Sequence, residues 1–196
     1  MEQYMKVLKS YKRMPREMED RIRENVKPIR FPDATFIQKE GTFCNHIYFI
    51  EKGVVRIYHG ERTTQFKKEN EFIISNLEDV YGYKAPGIEA LEDITAWDFS
   101  PQMLEDTAEQ FDLFHQHLNI MMMKDMKMIT EINSLVSSAD AASLLYDYLR
   151  RQSPDLLDRV APAHIASFLG VSEKVFLHMK SSNIRTGIRG KHVRRT

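Results

Sequence analysis

A proline, a glycine and a serine set the local structure of residues 160–193, VAPAHIASFLGVSEKVFLHMKSSNIRTGIRGKHV. Pro162 stands where a first-turn proline is tolerated, because its missing N–H would have no acceptor inside the helix. Ile165, Ala166, Phe168 and Leu169 follow at helical spacing, and small Ala166 lets another helix approach closely. Gly170 ends this helix, since glycine takes the left-handed turn without a Cβ penalty. Val171 plugs the corner, and Ser172 caps a second helix over residues 173–181. The pattern buries Val175, Phe176 and Met179 and turns Glu173, Lys174, Leu177, His178 and Lys180 outward. Two helices joined this way form a helix-turn-helix, whose second helix presents side chains to base edges. After Glu173 no Asp or Glu follows, while Lys174, Lys180, Arg185, Arg189, Lys191, Arg194 and Arg195 supply charge suited to phosphates. Arg189-Gly190-Lys191 is expected to form the tip of a basic β-hairpin, with Gly190 at positive φ. The candidate DNA contacts are therefore Ser172, Glu173, Lys174, Val175, His178, Lys180, Arg189 and Lys191. A plain helical hairpin with a solvated basic end is the competing reading.

Net charge hides this asymmetry, because 28 Lys and Arg balance 28 Asp and Glu. Residues 1–30 hold nine basic against five acidic side chains, residues 31–138 nine against eighteen, and residues 139–196 ten against five. An acidic middle is followed by a basic end. At 196 residues the chain has room for two modest domains.

Residues 17–27 read as a short amphipathic helix ended by Pro28, and from Phe31 the pattern becomes one of strands. Phe36-Ile37, Ile47–Ile50, Val54–Tyr58, Phe72–Ile74 and Ile94–Phe99 are β-branched and aromatic runs, the early ones separated by Gly41, Lys52-Gly53 and Gly60. That short spacing predicts an antiparallel barrel or sandwich. Residues 75–89 form its longest irregular connection, the kind of segment that holds a ligand on a rigid barrel.

Ser100-Pro101 opens a helix whose later part carries a regular seam of Phe111, Phe114, Leu118, Met121, Asp125, Met128, Ile132 and Leu135. Steps of three and four predict a coiled coil between two copies of the chain, with these residues as the dimer interface. Met122, Met126, Ile129 and Val136 widen the apolar face, so one side can meet a partner and another the barrel. Asp125 reads either as exposed by helix rotation or as a polar register-setting position. Ser138-Ala139-Asp140 breaks the seam and caps a further helix with Ala141, Leu144, Leu145, Tyr148 and Leu149 on its buried stripe. The boundary expected at Ser137–Ser138 separates residues 1–138, with a dimerisation helix at about 101–138, from residues 139–196.

Catalysis finds no support. Cys44 alone cannot form an internal disulfide or a four-cysteine site, and the Met121–Met123 cluster reads as packing rather than a metal or haem site. A cupin-type metal centre needs a His-x-His pair, whereas His46 is followed at the second position by Tyr48, and Glu51 alone completes nothing. No metal and no catalytic residue are assigned. With no bilayer-length apolar run and no signal-peptide pattern, no membrane partner is expected and the cytoplasm is the default compartment.

Gly41–Tyr58, Ile88–Asp93 and Ile165–Val171 together resemble the Crp/Fnr-type cyclic-nucleotide-binding transcription regulators, particularly those of Bacteroidetes-like bacteria. The resemblance covers nearly the whole chain. It implies an α+β protein: an N-terminal jelly-roll-like β-roll sensor domain, a long dimerisation helix and a C-terminal winged helix-turn-helix. It also implies a homodimer on palindromic double-stranded DNA, with RNA polymerase as a further candidate partner.

In nucleotide-binding members of that family, a Gly-Glu pair holds the ribose and an Arg-Ser pair holds the cyclic phosphate. Those positions fall at Ile74-Ser75 and Lys84-Ala85 here, which are the candidate effector-pocket residues. Ser75 cannot replace a carboxylate that accepts from a ribose hydroxyl, and Lys84 offers a point charge where arginine gives a fork. Glu78 and Asp79 oppose an anionic ligand as well. Cyclic AMP and cyclic GMP are therefore not expected, and an unidentified small effector, or none, is. Lys174 and His178 also stand where such members commonly carry an acidic residue and an arginine, so the DNA target should differ. The alternative function is a degenerate member that binds neither DNA nor nucleotide and serves as a protein-interaction module.

Overall fold

The computed structural model describes the backbone of residues 2–42, 45–74 and 85–191, and the side chains of these residues as far as Ser182. The chain divides into two units, one of residues 1–60 and 64–131, the other of residues 61–63 and 132–196.

In the first unit, α1 (Gln3–Tyr11) and α2 (Arg16–Asn25) precede eight short strands. These are β1 (Lys27–Phe31), β2 (Phe36–Gln38), β3 (Ile47–Lys52), β4 (Val55–His59), β5 (Arg62–Lys67), β6 (Phe72–Ile74), β7 (Gly87–Ala90) and β8 (Ile94–Phe99). They pair antiparallel into two four-stranded sheets of order β1-β8-β3-β6 and β2-β7-β4-β5, a β-roll. Side-chain alternation divides the core in two. Tyr48, Ile50, Ile57, Ile73, Ile88 and Ala96 fill one cluster, while the other face of the first sheet, with Ile47, Phe49, Phe72 and Phe99, packs against Tyr4, Leu8, Met18 and Ile22 of the N-terminal helices. β3 is thus buried on both faces, which is why Ile47–Ile50 is continuously apolar. Each such side chain contributes about 1.5–3 kcal/mol by leaving water. Gly87 is required by close approach: a Cβ there would lie 2.1 Å from the ring of Tyr58, its partner across the β4–β7 ladder.

α1, β1, β5 and β7 are not marked by the apolar patterns of the sequence. In β1, Pro28 breaks the apparent pattern and is tolerated because β1 is an edge strand, while β5 is polar along most of its length. The expected irregular stretch 75–89 is shorter at its end, since Gly87 already belongs to β7. Its residues 75–84 lie outside the described residues.

Ser100 caps α3 (Pro101–Gln110), its hydroxyl accepting from the Met103 amide at 3.3 Å. Extended Phe111 then separates α3 from α4 (Asp112–Val136), so the single helix expected from residue 101 is two. The division between the units falls within α4.

The second unit holds α5 (Ala141–Gln152), α6 (Leu156–Arg159), α7 (Pro162–Leu169) and α8 (Glu173–Lys191). Leu145, Leu149, Ile165, Phe168, Leu169 and Phe176 are buried in it. On α5, Leu144 is 38% exposed rather than on the buried stripe, and Tyr146 is buried instead, its ring 6.3 Å from that of Phe176. Ser167 ties in residues 61–63: its hydroxyl donates to the Glu61 carbonyl at 2.7 Å and accepts from the Thr63 amide at 2.9 Å.

Candidate nucleic-acid interface

Helices α7 and α8 meet through the expected turn. Pro162 lies in the first turn of α7, Gly170 adopts φ +69°, and the Val171 N–H closes back on the Ala166 carbonyl at 3.0 Å. The Ser172 hydroxyl accepts from the Val175 amide at 3.4 Å, a long N-terminal cap, and its carbonyl accepts from Phe176 at 3.1 Å. Phe176, with no exposed surface, anchors α8, and Glu173, Lys174 and His178 stand exposed.

Two expectations for this helix are corrected. Val175 is 45% exposed rather than buried, because the single aromatic anchor at Phe176 turns its neighbours Val175 and Leu177 outward. Lys180 does not project freely: its ammonium donates to the Leu157 carbonyl at 2.5 Å and to Asp158 at 2.8 Å, fastening α8 to α6. Its charge is therefore committed within the chain.

The hairpin tip expected at Arg189-Gly190-Lys191 is also absent, because the backbone is helical through Lys191. A two-stranded ribbon is marginal without a third strand or a packing face, and residues 132–191 contain no strand. The side chains of Arg189 and Lys191 lie outside the described residues.

The eight-residue seam, seven of whose members lie on α4, is corrected in part. Phe114 and Met121 are buried in the helix-facing core of the β-roll, with Phe111 and Leu118 packed against the same cluster. Phe114 and Met121, so buried, cannot at once line a contact with another chain, whereas Phe111 and Leu118 are only half-buried. Asp125 is neither exposed nor a register position between copies: it is 7% exposed and forms an ion pair with Lys67, itself 5% exposed. Met128 borders a cavity beside that pair, Ile132 is buried and Leu135 half-buried. What α4 leaves uncovered is Met126, 50% exposed, and Met123, 71% exposed, beside half-buried Met122 and Ile129.

Of the candidate effector residues, Ser75 and Lys84 lie outside the described residues. Ile74 is on the helix-facing side of its sheet, not between the sheets, and Ala85 is buried, its carbonyl accepting from the Gly41 amide at 2.8 Å. Among the described residues, no group of three or more His, Cys, Asp or Glu could hold a metal. No described helix is long and apolar enough to cross a membrane.

A β-roll, a long helix and a helix-turn-helix in this order are the fold of Crp/Fnr-type regulators. Solved structures share it at low sequence identity. FixK2 from Bradyrhizobium japonicum superposes with TM-score 0.67 at 18% identity, over 83% of this chain and 86% of that one. A protein from Eubacterium rectale described as a transcriptional regulator of the Crp/Fnr family gives 0.67 at 15%, over 91% and 86%. The c-di-GMP-responsive global regulator CLP of Xanthomonas campestris gives 0.64 at 14%, over 88% and 93%. No family model matches the sequence, and no curated protein is significantly similar to it.

Proposed function

We propose that this chain is a homodimeric transcription regulator that binds a palindromic operator in double-stranded DNA, with residues 1–138 as sensor and dimerisation domain and residues 139–196 as DNA-binding domain. The observation that carries this reading is the Ser172-capped start of α8, where Lys174 and His178 stand exposed one turn apart above the buried anchor Phe176. Ser172, Glu173 and exposed Val175 are the remaining first-turn groups within reach of a groove, and the Arg189 and Lys191 charges suit phosphates. Copies pair through Met122, Met123, Met126 and Ile129 of α4, since the opposite side of that helix is occupied by the β-roll core. An effector bound at the β-roll then biases the DNA-binding domains through α4 by favouring one of two arrangements. That effector is a small molecule other than cyclic AMP or cyclic GMP, and RNA polymerase is the partner if the chain activates transcription. The c-di-GMP responsiveness of CLP supports a small effector on this fold.

Exposed Val175 and Leu177 favour a second reading, a protein-interaction module, because apolar groups there suit a protein surface as well as a thymine methyl. Binding-site selection from random duplex DNA separates the two. A regulator enriches a two-fold-symmetric site and loses affinity steeply as salt rises. Absence of enrichment, or equal binding by a variant lacking residues 160–196, rejects DNA recognition.

A further inference from the structure

The first unit contains a cavity of about 190 Å³ bordered by α1, the β5–β6 turn and α4, on the helix-facing side of the first sheet. At about 30 Å³ per water-sized group it has room for about six such groups. Met121, Met128, Phe72 and Ile74 give it apolar walls, and the Lys67–Asp125 ion pair and Glu71 give it a polar end. The charges there are incompletely matched. Lys67 is committed to Asp125. One Glu71 oxygen accepts from the Lys68 amide at 3.0 Å, and the other has no hydrogen-bond partner among the described residues. Burial pushes the Glu71 carboxyl up, aided by Asp125, and outweighs the attraction of Lys67 and Lys68. Lys124 does not answer that need, because its ammonium lies over the Tyr11 ring at 4.1 Å from the centroid.

We propose that this cavity binds a small primary ammonium compound with a short apolar body, its charged end on Glu71 and its apolar part against Met121 and Met128. An ammonium supplies the donors and the positive charge that the half-buried carboxylate lacks, and such charge-assisted bonds are the strong ones. A free anion finds no equivalent, since the cations bordering the space, Lys67 and Lys124, are already engaged. Plain alkylamines and apolar amino acids share the required chemistry; only an amino acid adds a carboxylate, which Lys124 can meet only by leaving the Tyr11 ring, a weaker engagement than the buried Lys67–Asp125 pair. Binding here does not require that the chain act on DNA.

Calorimetry of the full chain at pH 8 with n-butylamine hydrochloride and with L-valine tests this, the readout being binding itself. Saturable binding of at least one probe below about 10 mM is expected, and Glu71→Gln should weaken it by about tenfold or more. The variant keeps the side chain's shape, and an unchanged melting temperature shows that it is folded. Tighter binding of valine, weakened by Lys124→Gln, identifies an amino acid; binding of butylamine alone identifies a plain amine. No saturable heat from either probe overturns the proposal, as does equal binding by the Glu71→Gln variant. A failure here leaves the DNA-binding reading untouched, because operator selection uses neither probe.

Discussion

Lys67 and Asp125 stand 58 residues apart in sequence and meet almost without solvent, so each depends on the other. Asp125→Ala would leave a buried ammonium uncompensated and should cost about 3–5 kcal/mol in chemical denaturation. The double variant Lys67→Met, Asp125→Leu should recover most of that loss, since apolar side chains of similar volume need no mutual charge. Glu71 makes a pH-dependent contribution of the opposite kind. Burial raises its proton affinity in the folded chain above the ordinary value of 4.5, so it supports folding fully only below about that pH. The support is lost as pH rises through the higher folded-state value. Glu71→Gln should flatten this part of the stability profile, measured as melting temperature against pH; an unchanged profile would show that burial does not govern this carboxyl. On α8, Lys174→Ala and His178→Ala should each cost about 1–3 kcal/mol of operator affinity and relax preference at particular base pairs, if they contact bases as proposed. A uniform loss across all sequences would assign them to phosphates instead.

Helix α4 is the element on which opposite demands meet. Its Phe114 and Met121 complete the β-roll core, while Met123 and Met126 face outward. Charges on the two sides should therefore do different things. Met123→Asp with Met126→Asp should convert the proposed dimer to monomers in sedimentation at tens of micromolar, roughly the range expected of a helix pair of this length, and leave the melting temperature nearly unchanged. A dimer that survives the double substitution would move the interface away from α4.

The two units carry different chemistry. The β-roll is built around apolar clusters between and outside its sheets, and the second unit presents the exposed turn and helix start on which the proposed DNA contact rests. Calorimetry of the whole chain should detect no tight binding of cyclic AMP or cyclic GMP at micromolar concentrations, if Ser75 and Lys84 stand, as the Crp/Fnr resemblance implies, where nucleotide-binding members carry a carboxylate and a guanidinium. Saturable micromolar binding of either would require another residue, such as Glu78, to take the ribose.

The features legible in the sequence were those decided within a few residues. Pro162, Gly170 and Ser172 act through local backbone preference and capping, and the turn they form follows directly; the Ser100-Pro101 start of α3 is of the same kind. Alternating apolar runs likewise marked most strands, though not polar β5 or proline-bearing β1. Even the spacing along α4 was visible, since helical geometry alone places Phe114, Leu118 and Met121 on one side. Which surface would cover that side was not, because a coiled-coil partner and a β-roll both accept a strip of apolar side chains. The choice was made by Tyr4, Leu8, Phe49 and Phe72, which reach the helix only once the strands are paired. The Lys67–Asp125 pair and the docking of Lys180 on α6 have the same origin. Each depends on groups far away along the chain, and local preference carries no information about distant partners.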